Sequence, residues 1–184
     1  MLTEDGKHLY ISHDEYLDLV ERLAVCVARS GWEFDTVLCL ARGGMRVGDI
    51  LSRIFKKPLA IWATGSYRTD AVTARKIPDE VFIAEHWTLV RAKLDGRILL
   101  VDDLVDSGRT LSAIMKLLKE KVPTLAEVRT AVLWTKSRAS FQPDYLVRAL
   151  DGNPWIHQPF EHYDRIALQD LLNRDDTDNF ELRP

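Results

Sequence analysis

The sequence predicts an α/β fold in which a parallel sheet is flanked by helices. Four short apolar segments have the composition of strands that are buried on both faces. These segments lie at residues 36–41, 58–63, 97–101 and 128–134. Segments with apolar residues at helical spacing lie among them, and strands that alternate with helices form parallel sheets. The length of 184 residues fits one domain, which spans residues 1–184.

The first helix is predicted to begin after Ser12. Ser12 and Glu15 have the Ser-x-x-Glu spacing of a capping box, in which each side chain satisfies the backbone amide of the other residue. Apolar residues then recur every three or four positions up to Gly31, a residue type that commonly ends helices. This helix therefore precedes the first strand of the predicted sheet.

Two more helices are predicted directly after strands. In each case a turn follows the strand, and apolar residues then recur at helical spacing. The apolar residues of these two helices are Val47, Ile50, Leu51 and Ile54, and then Leu111, Ile114, Met115 and Leu118. The second of the two helices is expected to start near Thr110.

Two segments depart from this alternation. The segment 65–96 is polar and irregular apart from a possible short strand at 81–84, and a segment of this length in a small domain usually carries function. We expect it to be a lid or a binding loop, or else to be disordered. The charged tail at 173–184 is expected to be loose.

Composition and charge argue against several classes of function. The net charge of -3 gives no general attraction to nucleic acid or to anionic membranes. The first residues lack the apolar core of a signal peptide, and no segment approaches the roughly 20 apolar residues of a membrane span. Cys26 and Cys39 lie in apolar surroundings and are expected to be buried, reduced thiols. We therefore expect a cytoplasmic protein with small-molecule partners, and neither nucleic acid nor membrane among them.

The segment ILLVDDLVDSGRTL at 98–111 is the most informative part of the chain. Its apolar strand ends in Asp102 and Asp103, and Asp106 follows three residues later. Carboxylates this close repel one another, so their burial requires compensation. Because ligands of open α/β sheets bind beyond the carboxyl ends of the strands, a ligand could supply that compensation.

The residues after the acidic pair have the composition of a phosphate-binding loop. Ser107 and Thr110 carry hydroxyls, Gly108 permits a tight turn, and Arg109 adds positive charge. All of them lie at the positive end of the predicted helix, where backbone amides bind anions. A ribose phosphate would bring both a phosphate for this loop and vicinal hydroxyls for the carboxylates, and a pyrophosphate group would also bring a divalent metal.

Two other interpretations of this segment are available. The acids could be a solvated strand end, with Asp106-Ser107-Gly108-Arg109-Thr110 serving only as a helix cap. The second interpretation is a nucleotide hydrolase that holds magnesium at the acidic strand end. Such an enzyme needs a phosphate-binding GxxxxGK[ST] sequence, and the chain contains none. The hydrolase interpretation is therefore excluded.

The stretch VDDLVDSGRTL resembles the phosphoribosyl-pyrophosphate (PRPP) signature of type I phosphoribosyltransferases, and within them that of the 6-oxopurine salvage enzymes. The resemblance covers approximately residues 36–165. It implies transfer of a 5-phosphoribosyl group from PRPP to N9 of guanine, xanthine or hypoxanthine, with Mg²⁺ as cofactor. It also implies that Asp102 and Asp103 hold the ribose hydroxyls or the metal and that residues 107–110 hold the 5-phosphate. Asp106 would be the general base.

Two loops of that family have counterparts here. Arg42-Gly43-Gly44 resembles the loop that receives pyrophosphate, and in the family the peptide before the glycine pair can be cis. This predicts a cis bond at Ala41–Arg42 or Arg42–Gly43. Ser66 and Tyr67 resemble the start of the mobile loop that closes over the reaction centre and excludes water.

The resemblance also implies a base-binding hood at 145–165. Lys136 would donate to O6 of the purine, Trp155 would stack on its ring, and the backbone of Ile156 would hydrogen-bond its edge. Glu161 takes the place of an acidic residue that lies near the base and the metal. Lys136 and Trp155 favour a 6-oxopurine, because an ammonium prefers a carbonyl oxygen to an amino group.

Other functions remain open for a chain of this family. One is a regulatory protein that keeps the PRPP site as a sensor and binds nucleic acid, although the sequence has no basic stripe with interleaved aromatic residues. Another is a transferase for a different base, such as a pyrimidine. A homodimer or homotetramer is also expected, because a small sheet of this kind leaves apolar surface exposed.

Overall fold

The computed structural model describes residues 1–65, 68–69, 76–77, 82–89 and 94–173. The helices are α1 (His13–Arg29), α2 (Met45–Phe55), α3 (Arg109–Lys121) and α4 (Leu168–Leu172), with a 3-10 helix at Glu161–Asp164. The strands are β1 (His8–Tyr10), β2 (Thr36–Ala41), β3 (Leu59–Gly65), β4 (Arg68–Thr69), β5 (Lys76–Ile77), β6 (Phe82–Leu89), β7 (Gly96–Val101), β8 (Leu104–Val105), β9 (Leu125–Thr135), β10 (Tyr145–Ala149) and β11 (Trp155–His157). Within these ranges, none of the helices has the length and apolar character to span a bilayer.

The main sheet has the strand order β10-β9-β7-β2-β3-β6, and β8 also pairs with β9. All neighbours along this path are parallel except β3 and β6, which are antiparallel. Two smaller sheets pair β1 with β11 in parallel and β4 with β5 antiparallel. The prediction of an α/β fold with a parallel sheet flanked by helices is confirmed, with one antiparallel strand at the sheet's edge.

The two faces of the sheet carry separate layers of the core. Alternate residues of a strand point to opposite faces, so each apolar strand supplies both layers. The layer against α1 and α2 contains Val37, Cys39, Leu99, Val101, Ala131 and Leu133. The layer against α3 contains Leu38, Leu40, Trp62, Ile98, Leu100 and Val132. This double burial explains why these strands are continuous apolar runs in the sequence.

Helix α1 begins with the predicted capping box. Ser12 Oγ accepts the Glu15 amide at 3.1 Å, and Glu15 Oε2 accepts the Ser12 amide at 2.8 Å. The buried face of the helix contains Tyr16, Val20, Leu23, Ala24 and Val27. Cys26 lies beside that face and is exposed, so the prediction that it is buried was wrong, whereas Cys39 is buried as expected.

Some strands fall inside segments that were predicted as loops or hood. β6 is longer than the expected strand at 81–84 and lies within 65–96, as the last strand of the main sheet. β10 lies within 145–165 but pairs with β9, so this part of the predicted hood belongs to the main sheet. β11 instead pairs with β1, in the register His8 to Trp155. The tail from residue 174 lies outside the described residues.

Replacement of a buried leucine on α1 tests the predicted core. Leu23 is fully buried, and Leu23→Ala should lower the free energy of unfolding by about 2–5 kcal/mol, because apolar contacts are lost and a cavity remains. Urea denaturation of the purified protein measures this change. The matched control is Leu17→Ala on the same helix, where the side chain is 49% exposed and the change should stay within about 0.5 kcal/mol. Equal effects of the two substitutions would contradict the assigned helix face.

Candidate active site

The candidate active site lies where three neighbouring strands of the main sheet end. β2 ends at Ala41, β7 at Val101 and β9 at Thr135. Because these strands are parallel neighbours, their carboxyl ends meet at one end of the sheet, where a pocket of about 630 Å³ opens. The sequence-predicted residues that line it are Arg42, Gly43, Asp102, Asp103, Asp106, Ser107, Gly108, Arg109, Thr110, Lys136, Trp155, Ile156 and Glu161.

Asp102 and Asp103 lie between two strand segments that both pair with β9, namely β7 before them and β8 after them. The Asp103 carbonyl accepts the Leu133 amide at 2.9 Å. The Asp103 amide donates to Asp102 Oδ1 at 3.0 Å, and the Leu104 amide donates to Asp103 Oδ1 at 2.8 Å. The acidic pair is therefore fixed by the backbone on both sides.

The acidic pair carries charge in surroundings that disfavour it. Burial raises the pKa of Asp102 well above its usual range, and the negative charge of Asp103 raises it further. Burial also raises the pKa of Asp103, although hydrogen bonds from Gln158 and from the Leu104 amide oppose this effect. A ligand that brings hydroxyl donors or a divalent cation would stabilise the ionised pair.

The loop at residues 106–110, named here the phosphate loop, leads into α3. Gly108 has a φ of 90°, and a Cβ at this position would lie 2.8 Å from the Phe141 nitrogen, so the turn requires glycine. The amide and the hydroxyl of Ser140 donate to the Ser107 carbonyl at 3.0 and 2.9 Å. α3 begins at Arg109, one residue before its predicted start, which places the loop at the positive end of the helix.

Asp106 on the phosphate loop is paired with two cations from the segment after β9. Lys136 Nζ lies 3.3 Å from Asp106 Oδ1, and Arg138 donates to both carboxylate oxygens, with a distance of 2.8 Å from Nε to Oδ1. Partial burial raises the pKa of Asp106, but the Arg138 hydrogen bonds and the Lys136 charge outweigh it, and the pKa lies below its usual value. Asp106 is therefore held in its ionised form.

Arg42 also lines the pocket, directly after β2. The Ala41–Arg42 peptide bond is cis, at one of the two positions expected. The Arg42 side chain is largely exposed, and its Nη2 donates to Asp164 Oδ1 at 3.2 Å. The exposed ion pair with Asp164 contributes little to stability. The Arg42 guanidinium can therefore leave Asp164 and bind an anion in the pocket instead.

The two glycines after Arg42 have different surroundings. A Cβ on Gly43 would lie 2.6 Å from Asp103 Oδ1, so glycine allows this loop to approach the acidic pair. A Cβ on Gly44 would lie 2.9 Å from the Leu40 carbonyl, to which the Gly44 amide also donates at 2.8 Å. Gly43 thus lines the pocket, whereas Gly44 packs the start of α2 against the strand ends.

The base side of the predicted site contains a lysine and an indole. Lys136 is only 8% exposed, and its Nζ lies 6.0 Å from the centre of the Trp155 ring, which is about half exposed. Ile156 is buried next to it. Burial raises the pKa of Glu161, and a hydrogen bond from the Trp155 indole opposes the rise. These four residues lie together, as the resemblance implied.

Comparison with known proteins gives the family. A family model described as "Phosphoribosyl transferase domain" matches residues 12–165 of the chain. The chain belongs to the phosphoribosyltransferase family. The match contains the acidic pair, the phosphate loop, Lys136 and Trp155, and it confirms the resemblance found in the sequence.

Some relatives of this phosphoribosyltransferase-family chain are named for the purine bases on which they act, and others are named only for the domain. Phosphoribosyltransferase domain-containing protein 1 of Xenopus tropicalis is 31% identical over 153 residues, which cover 77% of this chain and 66% of that protein. Hypoxanthine-guanine phosphoribosyltransferase of Canis lupus familiaris is 26% identical over 153 residues, which cover 78% of this chain and 69% of that protein. The chain thus spans slightly less than two thirds of the Xenopus relative.

A solved structure shares the fold of this phosphoribosyltransferase-family chain. The xanthine-guanine-hypoxanthine phosphoribosyltransferase of Helicobacter pylori superposes with a TM-score of 0.68 at 24% identity. The match covers 91% of this chain and 99% of that one. The likeness identifies the type I phosphoribosyltransferase architecture.

Sequence reasoning missed residues of the site, among them Gln158 and Arg138, and it included two residues that the structure does not describe. Gln158 and Arg138 line the pocket and contact Asp103 and Asp106, respectively. Gln158 lies two residues after buried Ile156, and residues two apart in a strand point to the same face. This spacing was the signal in the sequence that Gln158 would be buried. Ser66 and Tyr67 lie outside the described residues.

Two isosteric substitutions should change stability in opposite directions. The raised pKa of Asp102 means that ionisation destabilises the folded protein above the usual carboxyl pKa. Asp102→Asn should therefore raise the free energy of unfolding at about pH 8, by on the order of 1 kcal/mol. The gain should shrink as the pH falls toward about 4, where the carboxyl is protonated in the unfolded chain as well. Urea denaturation at several pH values measures it.

Asp106→Asn should have the opposite effect on stability to Asp102→Asn, and it is measured in the same experiment. The lowered pKa of Asp106 reflects stabilisation by Arg138 and Lys136 that is present above the usual carboxyl pKa and is lost as the pH falls through the depressed pKa. This substitution should therefore lower the free energy of unfolding near neutral pH. Changes of the same sign for both variants would contradict the described electrostatics.

Proposed function

We propose that this chain is a purine salvage enzyme that transfers the 5-phosphoribosyl group of PRPP to N9 of a 6-oxopurine and releases pyrophosphate. The observation that carries the proposal is the set of residues that line one pocket. It contains an acidic pair with a phosphate loop, the Arg42–Gly43 loop, and a buried lysine beside an exposed indole. These suit a ribose phosphate, a pyrophosphate and a purine, respectively. Membership of the phosphoribosyltransferase family supports the reaction class.

The phosphate loop would bind the 5-phosphate of PRPP. The amides at the start of α3 and the hydroxyls of Ser107 and Thr110 are anion donors, and the helix adds the positive end of its dipole. Asp102 and Asp103 would accept hydrogen bonds from the ribose hydroxyls, which supply the compensation that the buried carboxylates require. Arg42 and the Gly43 backbone would receive the pyrophosphate.

The acidic pair also fits a magnesium ion. Mg²⁺ is usually held by one or two carboxylates together with phosphate oxygens of the substrate, and Asp102 and Asp103 offer two carboxylates whose raised pKa values mark uncompensated charge. Mg²⁺ bound by Asp102, Asp103 and the oxygens of PRPP would neutralise charge on the leaving pyrophosphate.

The base would lie between Trp155 and the side chain of Lys136. The ammonium would donate to O6, and the exposed indole would stack on the ring. In the parallel pair of β11 with β1, the Trp155 amide donates to the Lys7 carbonyl and the Ile11 amide donates to the His157 carbonyl. Since alternate residues of a parallel strand bond to opposite neighbours, the backbone of Ile156 points away from β1 and can bind the edge of the base. Glu161 lies beside Trp155 on this side.

The reaction exchanges one bond at C1 of the ribose for another. N9 of the purine bonds to C1 as the bond from C1 to the pyrophosphate oxygen breaks, and the purine loses a proton from the N7 region. Asp106 would accept this proton as general base, because it lies on the phosphate loop beside Lys136. Arg138 and Lys136 already donate to this carboxylate, so one of those bonds must be exchanged for the purine. Positioning and fixed charge supply most of the catalysis.

Three further expectations stay predictions. The segment 65–96 is expected to close over the reaction centre, and Thr64, directly before it, lines the pocket. A homodimer or homotetramer is expected, and exposed Met45 and Ile54 on α2 offer apolar surface for such an assembly. A cytoplasmic location is the third expectation, and it rests on the composition alone.

Pyrophosphate release tests the proposed reaction. The purified protein is incubated with Mg²⁺, PRPP and one base at a time from guanine, hypoxanthine, xanthine, adenine and uracil. Release with one or more 6-oxopurines, and little release with adenine or uracil, is expected, because Lys136 selects a carbonyl oxygen. PRPP binding is measured in parallel by calorimetry.

The same experiment separates the alternatives. Release with uracil alone would indicate a transferase for a pyrimidine. PRPP binding without release for any base would favour a regulatory protein that senses PRPP, and the roles of Lys136 and Trp155 would be the first to be withdrawn.

Replacement of Lys136 tests the base assignment. Lys136→Ala should lower kcat/KM for the accepted 6-oxopurine by about 10- to 100-fold, because a hydrogen bond from a charged donor is lost, and it should not lower the rate with adenine. Steady-state kinetics with each base measures the selectivity. Lys116→Ala, on the exposed side of α3, is the control and should leave kcat/KM unchanged. Equal losses for every base would show that Lys136 does not bind O6.

A further inference from the structure

Gln158 is a buried polar residue in the segment that follows β11. Its side chain is 7% exposed and lines the pocket. Its Nε2 donates to Asp103 Oδ2, and the backbone carbonyl of Gln158 accepts the Glu161 amide at 3.0 Å. The residue therefore connects the chain that carries Trp155 and Ile156 with the acidic pair at the end of β7.

The Asp103 carboxylate is held from three parts of the fold. The Leu104 amide donates to Oδ1 at 2.8 Å from the start of β8, and Gln158 donates to Oδ2 from the opposite side. A Cβ on Gly43 would lie 2.6 Å from Oδ1 and 2.8 Å from Cγ, so the loop after β2 closes the third side. Of these three contacts, the one from Gln158 is made by a side chain and can be removed without altering the backbone.

The side-chain amide of Gln158 donates a hydrogen bond through Nε2, but its oxygen Oε1 accepts none from the described residues. Within the described part of the chain, its Oε1 is buried and has no hydrogen-bond partner. A buried carbonyl oxygen without a donor costs free energy of folding, and an apolar residue of the same size would avoid that cost. The unpaired Oε1 therefore disfavours glutamine at this position, whereas the hydrogen bond from Nε2 to the buried Asp103 carboxylate favours it.

We propose that Gln158 is a positioning residue that orients the Asp103 carboxylate toward the ribose and pyrophosphate end of PRPP. The proposal rests on the proposed function, because it assigns Asp103 to PRPP. Through Gln158, the segment that binds the base also fixes the carboxylate that binds the ribose. The two substrates of the reaction are thus aligned by one short stretch of chain, from Trp155 to Gln158.

Substitution of Gln158 by methionine separates this role from a structural one. Gln158→Met keeps the length of the side chain and removes both the donor and the unpaired acceptor. The Kd for PRPP in the presence of Mg²⁺ should rise about tenfold or more, while KM for the purine changes little. The midpoint of urea denaturation should stay close to that of the wild type, because the loss of the bond to Asp103 and the removal of the unpaired Oε1 act in opposite directions. Calorimetry measures the Kd without turnover.

Two further variants complete the test. Gln158→Asn keeps the amide but is one methylene too short to reach Asp103, so it should show the same loss of PRPP affinity even if the methionine variant folds poorly. Gln169→Met makes the same substitution on the exposed side of α4 and should leave the Kd unchanged.

The outcomes distinguish this inference from the proposed function. An unchanged Kd for PRPP in both Gln158 variants, with pyrophosphate release intact in the wild type, would overturn the positioning role alone. A fall in the denaturation midpoint with unchanged Kd would assign Gln158 a structural role. PRPP binding by the wild type without pyrophosphate release would overturn the proposed enzyme activity. The positioning role would still be supported in that case if the Kd for PRPP rises in the Gln158 variants. A wild type that does not bind PRPP would overturn both.

Discussion

The site depends on how the fold accommodates two adjacent carboxylates at the end of a buried strand. Asp102 and Asp103 repel each other in surroundings that screen charge poorly. The backbone supplies part of the compensation, because both carboxylates accept amides from their own segment and β7 and β8 keep that segment paired with β9. Hydroxyl donors or a cation bound in the pocket would supply the rest. The same feature that weakens the folded protein thus suits it to the proposed binding of a ribose phosphate.

A second set of contacts joins the phosphate loop to the base side. The turn at residues 136–141 pairs with Asp106 through Lys136 and Arg138, and it donates to the Ser107 carbonyl from Ser140. On its other side, the Ser137 amide donates to the Gly152 carbonyl, in the chain that leads to β11. The turn therefore contacts both halves of the pocket and links the phosphate loop to the side chain proposed to bind O6.

Most of the fold could be predicted because its signals are local. The capping box of Ser12 and Glu15, the apolar strands and the helical periodicity each depend on neighbouring residues. The acidic pair and the phosphate loop were found for the same reason, since they form one continuous segment. The antiparallel direction of β6 could not be predicted, because a strand of either direction has the same local pattern.

The missed site residues depend on contacts between distant parts of the chain. Arg138 looks like a surface charge until the fold brings it to Asp106, and Gln158 looks like part of a loop until Asp103 is beside it. Buried polar side chains are placed by tertiary structure, and their roles become visible only with their partners.

The pairing of β1 with β11 has a consequence for the order in which the molecule forms. His8 and His157, whose rings hydrogen-bond across this small sheet, are 149 residues apart in the sequence. The strand that presents Trp155 and Ile156 can therefore gain its partner only after the ribosome has translated nearly the whole chain shown here. Contacts of such long sequence separation also carry a higher entropy cost of loop closure than local contacts do. A nascent chain can thus possess its central sheet and phosphate loop while it still lacks the paired strand that is proposed to hold the base.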